Sequence, residues 1–387
     1  MKRNIKTTII TSALTVAVLS SCRSEDTVSE KSKEIENLEK VEFLEQSSKV
    51  LSSTKTGYTR YNPATSSTEF EYLNVVEKTH TLSPLSFVDA KNTDVIYPGS
   101  ILRGASFVQG SYDPLVPKVD FNDVMLSMSL RGKDLLVKAS AKPQLSEVRN
   151  VTNTLLAKYK NEIDYSFVPA YVSYQADKVN TSSSFNKSFN LHANANVLGG
   201  VVSAKFNYQD SYTSSNSKNY VMVKLHQNFY SVSIDPKHYS EWFKGEVDAK
   251  EYGTHEPVYV SNVDYGRVAY LLIETSQSEE ETKKMVSGAV NFAFGKVSGG
   301  VESSYNQSFR KLFSESKIRV LIAGGPAKLA GQVDTYDSFI EFIKTPSIED
   351  LISSAAPISY KIRRLKDNTE VEVKTILTEK ELQYKKD

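Results

Sequence analysis

The sequence is poor in the residues that most often carry catalysis or bind metals. Its 387 residues include one cysteine, Cys22, one tryptophan, Trp242, and five histidines. A single cysteine excludes an internal disulfide, and the histidines show no metal-ligand spacing such as HExxH. The net charge of +1 gives no basic footprint for nucleic acid. We find no cluster of acid, base and nucleophile, and we expect neither an enzyme nor a cofactor or metal.

The chain starts with a targeting segment. A basic start at Lys2 and Arg3 precedes the apolar run Thr7–Leu19, which is too short to span a membrane as a helix. Leu19-Ser20-Ser21-Cys22 then resembles a bacterial lipobox, in which the cysteine becomes the lipidated first residue. We expect residues 1–22 to be a lipoprotein signal peptide. A plain signal peptide with an accidental cysteine is the alternative.

In place of catalytic residues, the chain has a stretch of regular alternation, Leu191–Tyr208. Apolar and polar residues alternate there with a period of two, which predicts strands with one apolar and one polar face. With Gly199 and Gly200 as a two-residue hairpin loop, all the apolar residues fall on one face, and a slip of one residue would scatter them. The residues of this face are Leu191, Ala193, Ala195, Val197, Val202, Ala204, Phe206 and Tyr208.

A second segment, Val290–Phe309, weakly repeats this pattern around Gly299 and Gly300. Both arms of each hairpin reach the ~9–11 residues that a strand needs to span a bilayer. The alternation also matches the wall of a membrane β-barrel. An ordinary amphipathic hairpin that covers a core is the alternative, and the pattern alone favours it. The apolar residues of this second face are Val290, Phe292, Phe294, Tyr305 and Phe309.

Strand and helix patterns continue on both sides of these segments. We expect strands at Tyr220–Ile234 and Lys317–Ala323 and helices at Ser146–Tyr159 and Ser347–Ala355. Pro257–Glu274 contains two strand patterns on either side of the tripeptide Tyr265, Gly266 and Arg267.

Five motifs together resemble the thiol-activated, cholesterol-dependent cytolysins. Each motif is weak alone, but their order and spacing are specific, and the resemblance covers roughly residues 60–387. It implies an α+β, MACPF/CDC-type fold with a bent central antiparallel β-sheet, flanked by two helical clusters that can convert to β-hairpins. The motifs are Val95–Leu102, Ser231–Asp235, Pro257–Arg267, Leu321–Gly325, and Pro357–Tyr360 with Leu365–Asn368.

The resemblance implies a mechanism for the alternating segments. In the family, two helical clusters, here about Ser182–Ser217 and Ser278–Phe309, unfurl into hairpins that join those of neighbouring subunits in one barrel. The residues themselves are consistent with such a conversion, because Ser, Asn and Gly are poor helix formers, and a helix with strand periodicity is expected at a switch. The resemblance also makes Gly324 and Gly325 a hinge that lets an edge strand leave, with a simple turn as the alternative.

The resemblance divides the chain into segments with separate roles. Residues 23–56, rich in Glu, Lys and Ser, are expected to form a polar tether with a short helix or no fixed structure. The remaining divisions are an elongated connecting β domain (57–90 and 363–387), a discontinuous scaffold domain (91–178, 229–275 and 345–362) and a pore-forming domain (179–228 and 276–344).

One departure from the family is the expected lack of its C-terminal β-sandwich with a tryptophan-rich loop. We therefore expect an elongated, short cytolysin-like member. It would be a pore-forming toxin subunit that assembles with copies of itself in a target bilayer, helped by a longer partner that recognises the membrane. It would be exported and either lipid-anchored at the bacterial surface or secreted. The alternative is a non-lytic surface lipoprotein for adhesion or glycan binding, which Lys187 and Lys296 on the apolar faces favour.

Overall fold

The fold is known from a computed structural model of the chain. Within the residues that it describes, two antiparallel β-sheets are present, and helices pack around the larger sheet. The signal peptide predicted for residues 1–22, with Cys22, lies outside these residues. The described residues are 35–43, 48–82, 85–86, 92–131, 136–159, 161–162, 171–179, 182–189, 219–293, 302–326, 333, 335–343 and 347–386.

The smaller sheet has three strands in the order β1-β2-β12. They are β1 (Ser48–Asn62), β2 (Ser67–Leu82) and β12 (Val373–Lys385). The prediction of a tether over residues 23–56 was therefore wrong from Ser48 onward. Both faces of β1 are exposed along nearly its whole length, so its sequence lacks the apolar alternation by which a half-buried strand is recognised.

The segment before β1 is also anchored to the fold. Ile35 and Val41 are buried. The Glu256 carboxylate accepts the backbone N–H of Val41 at 3.1 Å and pairs with Arg364 at 3.1 Å, and Arg364 donates to the Val41 carbonyl at 2.8 Å. Gly104 leaves room for this contact, because a Cβ there would lie 2.6 Å from Val41 Cγ2.

The larger sheet contains nine strands, and β9 is at its centre. Along one edge of β9 lies β8, followed by the short β4. Along the other edge, β11 pairs with the first half of β9 and β10 with the second half. The strands are β3 (Leu85–Ser86), β4 (Ile101–Leu102), β5 (Val124–Arg131), β6 (Leu136–Ala141), β7 (Tyr171–Lys178), β8 (Asn219–Ile234), β9 (Val258–Thr275), β10 (Lys317–Ala323) and β11 (Ala356–Arg364).

A single unbroken strand, β9, replaces the two strand patterns expected around Tyr265–Arg267. Gly266 does not mark a turn. A Cβ there would lie 1.9 Å from the Gln227 carbonyl oxygen, so glycine is required for two backbones to approach closely. The register shifts in both neighbouring strands at this level, between Asn228 and Tyr230 and between Pro357 and Ser359. Such bulges bend a sheet, and they place the bend beside Gly266.

The helices expected at Ser146–Tyr159 and Ser347–Ala355 are present over Leu145–Tyr159 and Ile348–Ser353. The strands expected at Tyr220–Ile234 and Lys317–Ala323 are present as β8 and β10. The domain boundaries that the structure does not contradict stay predictions. The helices are α1 (Gly104–Gln109), α2 (Leu145–Tyr159), α3 (Ser182–Ser188), α4 (Ala249–Tyr252), α5 (Glu279–Ala293), α6 (Glu302–Glu315), α7 (Tyr336–Ile343) and α8 (Ile348–Ser353).

Candidate functional site

Four strands of the larger sheet lie side by side in the order β7-β8-β9-β10, each antiparallel to the next. Residues 179–218 connect β7 to β8, and residues 276–316 connect β9 to β10. These connections contain the two segments predicted as hairpins. Each segment therefore joins neighbouring strands, and a hairpin formed there would lengthen both strands that it joins.

The second segment is helical in this structure, as the cytolysin resemblance implies. Val290 and Phe292 lie on α5, and Tyr305 and Phe309 lie on α6. The side chains of Val290 and Phe309 are buried against the sheet, and Phe292 is half-buried. Three predicted residues of this hairpin, Phe294, Gly299 and Gly300, lie outside the described residues.

Local contacts hold this strand-patterned segment in helical form. Ser278 and Glu281 form a capping box at the start of α5: the Glu281 N–H donates to Ser278 Oγ at 3.2 Å, and the Ser278 N–H donates to the Glu281 carboxylate at 3.4 Å. On α6, the Phe309 ring packs edge-on against Tyr336 of α7 at 5.6 Å. An exposed bidentate pair, Arg310 with Asp337, also joins α6 to α7 at 2.6–2.7 Å.

The start of the first segment, α3, covers the opposite face of the same strands. Phe185 and Phe189 are fully buried, and the Phe189 ring lies 4.5 Å from that of Tyr270 on β9. α3 also contacts β12 of the smaller sheet. The predicted hairpin residues from Leu191 to Tyr208 lie outside the described residues. The described part of the first segment, α3, therefore packs on the face opposite to that covered by α5 and α6 of the second.

The sheet face under α3 would continue into the predicted apolar faces of both hairpins if the strands were extended. Side chains two residues apart share a face of a strand. On β8 and β9 the even-numbered residues face α3, and on β7 and β10 the odd-numbered residues do so. In all four cases, the apolar residues of the hairpin arm that adjoins a strand are odd- or even-numbered like the residues of that strand that face α3. We call this agreement their shared parity. The matching residues are Asp177 with Leu191, Met222 with Phe206, Leu272 with Val290, and Leu321 with Phe309.

The predicted hinge lies where β10 ends. Gly324 and Gly325 have φ values of 77° and 84°, in the left-handed region that favours glycine. A Cβ on Gly324 would lie 2.2 Å from the carbonyl oxygen of Gly266, and one on Gly325 would lie 3.0 Å from the Phe342 ring. The end of β10 therefore packs directly against the bend in β9, and the geometry requires glycine at both positions.

The tripeptide Tyr265, Gly266 and Arg267 joins the bend to the helices. Tyr265 stacks on Tyr230 of β8 with ring centroids 5.1 Å apart. Arg267 is fully buried, donates to the Gln227 side chain and to the Ile343 carbonyl at 2.9 Å, and lies over the ring of Phe342. Burial lowers the pKa of Arg267 to about 10. Arg267 therefore holds the end of α7 against the sheet beside the hinge.

Polar residues lie buried on the sheet face that α3 covers. Burial lowers the pKa of Lys224 to about 8, and burial, with the nearby Lys224 charge, lowers that of His226 to about 3. The edge of the His226 ring points at Tyr270, with centroids 6.3 Å apart. Burial also raises the pKa of Asp177 on β7. These groups would regain water if α3 left the sheet.

Sequence reasoning missed one row of this face. Asp177 pairs with Met222, Met222 with Leu272, and Leu272 with Arg319, so an acid and an arginine lie at the same level on the two outer strands of the set. Arg319 lies 3.7 Å from Glu274 within its own chain. The two charges were visible in the sequence, but their alignment depends on three strand registers.

Within the described part of the chain, no group of three metal-ligating side chains is close enough to hold an ion. Among the same residues, no helix has the length and apolar character needed to cross a bilayer.

Comparisons with known proteins bear on this arrangement. The thiol-activated cytolysin family model matches residues 45–379. Perfringolysin O from Clostridium perfringens is 28% identical over 305 residues, which cover 75% of this chain and 57% of that protein. Pneumolysin from Streptococcus pneumoniae is 27% identical over 301 residues, 73% of this chain and 59% of that protein. The chain thus spans a little over half the length of these relatives.

Solved structures show the same fold. The human-specific toxin intermedilysin superposes with a TM-score of 0.60 at 23% identity, and suilysin from Streptococcus suis with a TM-score of 0.64 at 22% identity. Each match covers 92% of this chain and 75% of the other. The resemblance to cytolysins and the expected α+β, MACPF/CDC-type fold are thereby confirmed.

A substitution at the hinge tests its packing. We expect Gly324→Val to lower the free energy of unfolding by more than the ~1–2 kcal/mol that a left-handed backbone costs a non-glycine residue, because its Cβ also meets the Gly266 carbonyl. Denaturant unfolding measures the change. Gly245→Ala is the control, since a Cβ there meets only Val119 at 3.5 Å. Equal stability of the two variants would contradict the assignment.

Acid should weaken the packing of α3 on the sheet. His226 has a pKa of about 3 in this state and an ordinary value of ~6.5 when exposed. The closed state, in which α3 lies on the sheet, thus binds fewer protons than a state in which His226 is exposed. The stability due to neutral His226 is therefore lost as pH falls from about 6.5 towards 3. Over that range, Lys224 stays charged, and the raised pKa of Asp177 acts in the opposite sense.

Comparing wild type with His226→Gln isolates this effect from the other groups on that face, which include Tyr270 and Lys187. When the pH is lowered from neutral to 5, we expect wild type to lose about 2 kcal/mol more of the stability of the state with α3 on the sheet than His226→Gln loses. The figure follows from ~1.4 kcal/mol per pKa unit, and hydrogen exchange in β8 measures it. The exposed His238→Gln variant should behave like wild type. A pH dependence unchanged by His226→Gln would refute the role of His226.

Proposed function

The chain belongs to the thiol-activated cytolysin family, and we propose that it is a pore-forming toxin subunit that inserts two β-hairpins into a target bilayer. The observation that carries the proposal is the shared parity of the four strands and the four hairpin arms. Membership in this family agrees with the prediction that the chain is not an enzyme.

In this proposal, α3, α5 and α6 leave the sheet and their segments extend β7, β8, β9 and β10. The face now under α3 then continues into the apolar faces of both hairpins, so one side of each extended strand meets lipid and the other meets water. The helices pack on opposite faces of the sheet, so each segment can leave without passing through the other.

Insertion requires copies of the chain to assemble first. In hydrocarbon every backbone N–H and C=O must be paired, which strands achieve only in a closed ring. β7 and β10 are the outer strands of the four-strand set. If β10 of one copy pairs with β7 of the next in the register that keeps this row level, Arg319 lies beside Asp177 of that neighbour, on the same face. Within one chain they are three strand spacings apart, or about 14 Å.

Further parts of the proposal concern recognition and location. A longer cytolysin-like partner brings the subunit to the target membrane, and lipidation of Cys22 holds it at the bacterial surface before assembly. Export in soluble form is the second route. A purified chain that never causes leakage, alone or with the longer homologue of its own organism, would contradict pore formation and favour the non-lytic adhesion alternative.

A cross-link between α6 and α7 tests the conversion. We expect Arg310→Cys/Asp337→Cys, made with Cys22→Ser and joined by a short bis-maleimide, to lose vesicle leakage, because α6 must leave α7 to extend β10. The assay uses the condition in which wild type leaks, with or without the longer homologue. The same double variant without the cross-linker should leak.

The control cross-link joins two parts of the scaffold. Lys142 and Lys244 both bind Asp120 at 2.9 Å, so Lys142→Cys/Lys244→Cys can be bridged by the same reagent without restraining α6. We expect this variant to leak normally. Leakage that survives the α6–α7 cross-link would rule out insertion of the second segment.

Charge reversal tests the assembly. We expect Asp177→Arg and Arg319→Asp each to lower ring formation and leakage at least tenfold, because like charges then face each other at every interface, each costing on the order of 1 kcal/mol. An equimolar mixture of the two variants should assemble, since alternating copies restore opposite charges at each interface. Gel analysis of oligomers and vesicle leakage measure both effects.

Thermal unfolding of each variant monomer provides the control for Arg319, which also lies near Glu274. If the double variant Asp177→Arg/Arg319→Asp recovers activity but the mixture of single variants does not, the two charges do not meet across subunits.

A further inference from the structure

The smaller sheet ends in a tip formed by the β1–β2 turn and the last residues of β12. Near this tip, Lys55 pairs with Tyr72, and Tyr72 with Gln383; Thr59 pairs with Phe70, and Phe70 with Lys385; Tyr61 pairs with Thr68. Residues in directly opposed positions share a face. One face of the tip therefore carries what we call the basic aromatic patch: Lys55, Tyr61, Phe70, Tyr72 and Lys385.

The lysines of this patch lie over its aromatic rings. Lys55 Nζ is 3.4 Å from the Phe70 ring centroid, and Lys385 Nζ is 4.2 Å from that of Tyr72. Cation–π contact holds an ammonium group without neutralising its charge. The two positive charges are thus fixed above a flat aromatic surface.

The nearby acids belong to the other face. Glu69 and Glu71 have the opposite parity on β2. There, Glu69 accepts from Arg60 at 2.8 Å and Asn62 at 2.7 Å, and Glu71 accepts from Thr56 at 2.7 Å and from Tyr384. These hydrogen bonds lower the pKa of both carboxyl groups.

Among the residues that the structure describes, which end at Lys386, the three rows of the patch contain no acidic residue. The next row towards the middle of the sheet contains Glu381, which pairs with Lys78. The two faces of the tip therefore differ in charge, and the patch side is cationic.

Exposed tyrosines border this cationic face. Tyr58 and Tyr61 are 71% and 65% exposed, on the free edge formed by β1. Tyrosine is enriched where proteins meet the headgroup region of a bilayer, and lysine near a surface is attracted to anionic lipids. A flat sheet end that combines both residue types matches the chemistry of a lipid surface better than that of a protein pocket.

We propose that the basic aromatic patch docks on the anionic headgroups of a lipid bilayer. The tip thereby gives the chain its own contact with the membrane surface, next to the recognition assigned above to a longer partner. The inference rests on the proposed function only for its purpose, which is to bring the subunit to the bilayer.

A fluorophore at the tip tests the contact. We attach NBD to Tyr61→Cys in the Cys22→Ser background and add phosphatidylcholine vesicles with or without phosphatidylglycerol. We expect brighter, blue-shifted emission with the anionic vesicles alone, and its loss at high salt, because exposed charges are screened. NBD at Val116→Cys, an exposed site away from the tip, should not respond.

Charge variants complete the test. Lys55→Glu/Lys385→Glu should weaken the response at position 61 at least tenfold. The control Lys49→Glu/Lys374→Glu changes the same net charge elsewhere in the sheet and should retain most of the response. Equal responses to both vesicle types, or none, would overturn the inference. So would a response to the longer homologue without vesicles, which would identify the patch as a protein-docking surface.

Binding and pore formation remain distinguishable. A response at position 61 without vesicle leakage supports the docking surface and contradicts the proposed function. Leakage without any change at position 61 supports the proposed function and contradicts the docking surface.

Discussion

Backbone hydrogen bonding inside α3, α5 and α6 is the interaction on which the rest of this structure depends. The connections that contain these helices include the alternating stretches Leu191–Tyr208 and Val290–Phe309, yet a lone chain has no partner for the edges of extended hairpins. Helices satisfy the same backbone groups internally, and burial of Phe189 and Phe309 on the sheet makes them stable despite poor helix formers. The helical state is therefore favoured only while no neighbour offers a strand edge. In the proposed assembly, each new copy would supply the missing backbone partners and so change this balance.

In the proposed conversion, the bend and the hinge are the places where the sheet itself would change. Gly266, the register shifts beside it and Gly324 meet at one level, and Arg267 ties the same point to the end of α7. Glycine at these positions lets the backbones approach closely, with no side chain between them. Buried Lys224 and His226 add a cost of desolvation to the face under α3, and this cost would be relieved if α3 left the sheet. The closed state is thus held by aromatic packing and opposed by buried polar groups.

Much of this site could be predicted from the sequence, because period-two alternation and paired glycines are local signals. The limits of β10 and the position of Gly324 followed from them. β1 could not be found, since a strand with both faces exposed has no apolar period. The continuity of β9 through Gly266 was missed because a glycine in a strand and a glycine in a turn look alike until the neighbouring backbone is known. The row from Asp177 to Arg319 and the basic aromatic patch both depend on strand register, which no local pattern contains.

If the apolar faces of the hairpins continue the sheet face under α3, each residue of a hairpin arm has a defined environment in assembled rings. Environment-sensitive probes on single cysteines from Val202 to Tyr208, placed in a Cys22→Ser chain, report lipid or water at each position of assembled rings. We expect alternation: lipid at Val202, Ala204, Phe206 and Tyr208, and water at the positions between them. A uniform environment along this stretch, or alternation in the opposite phase, would contradict it.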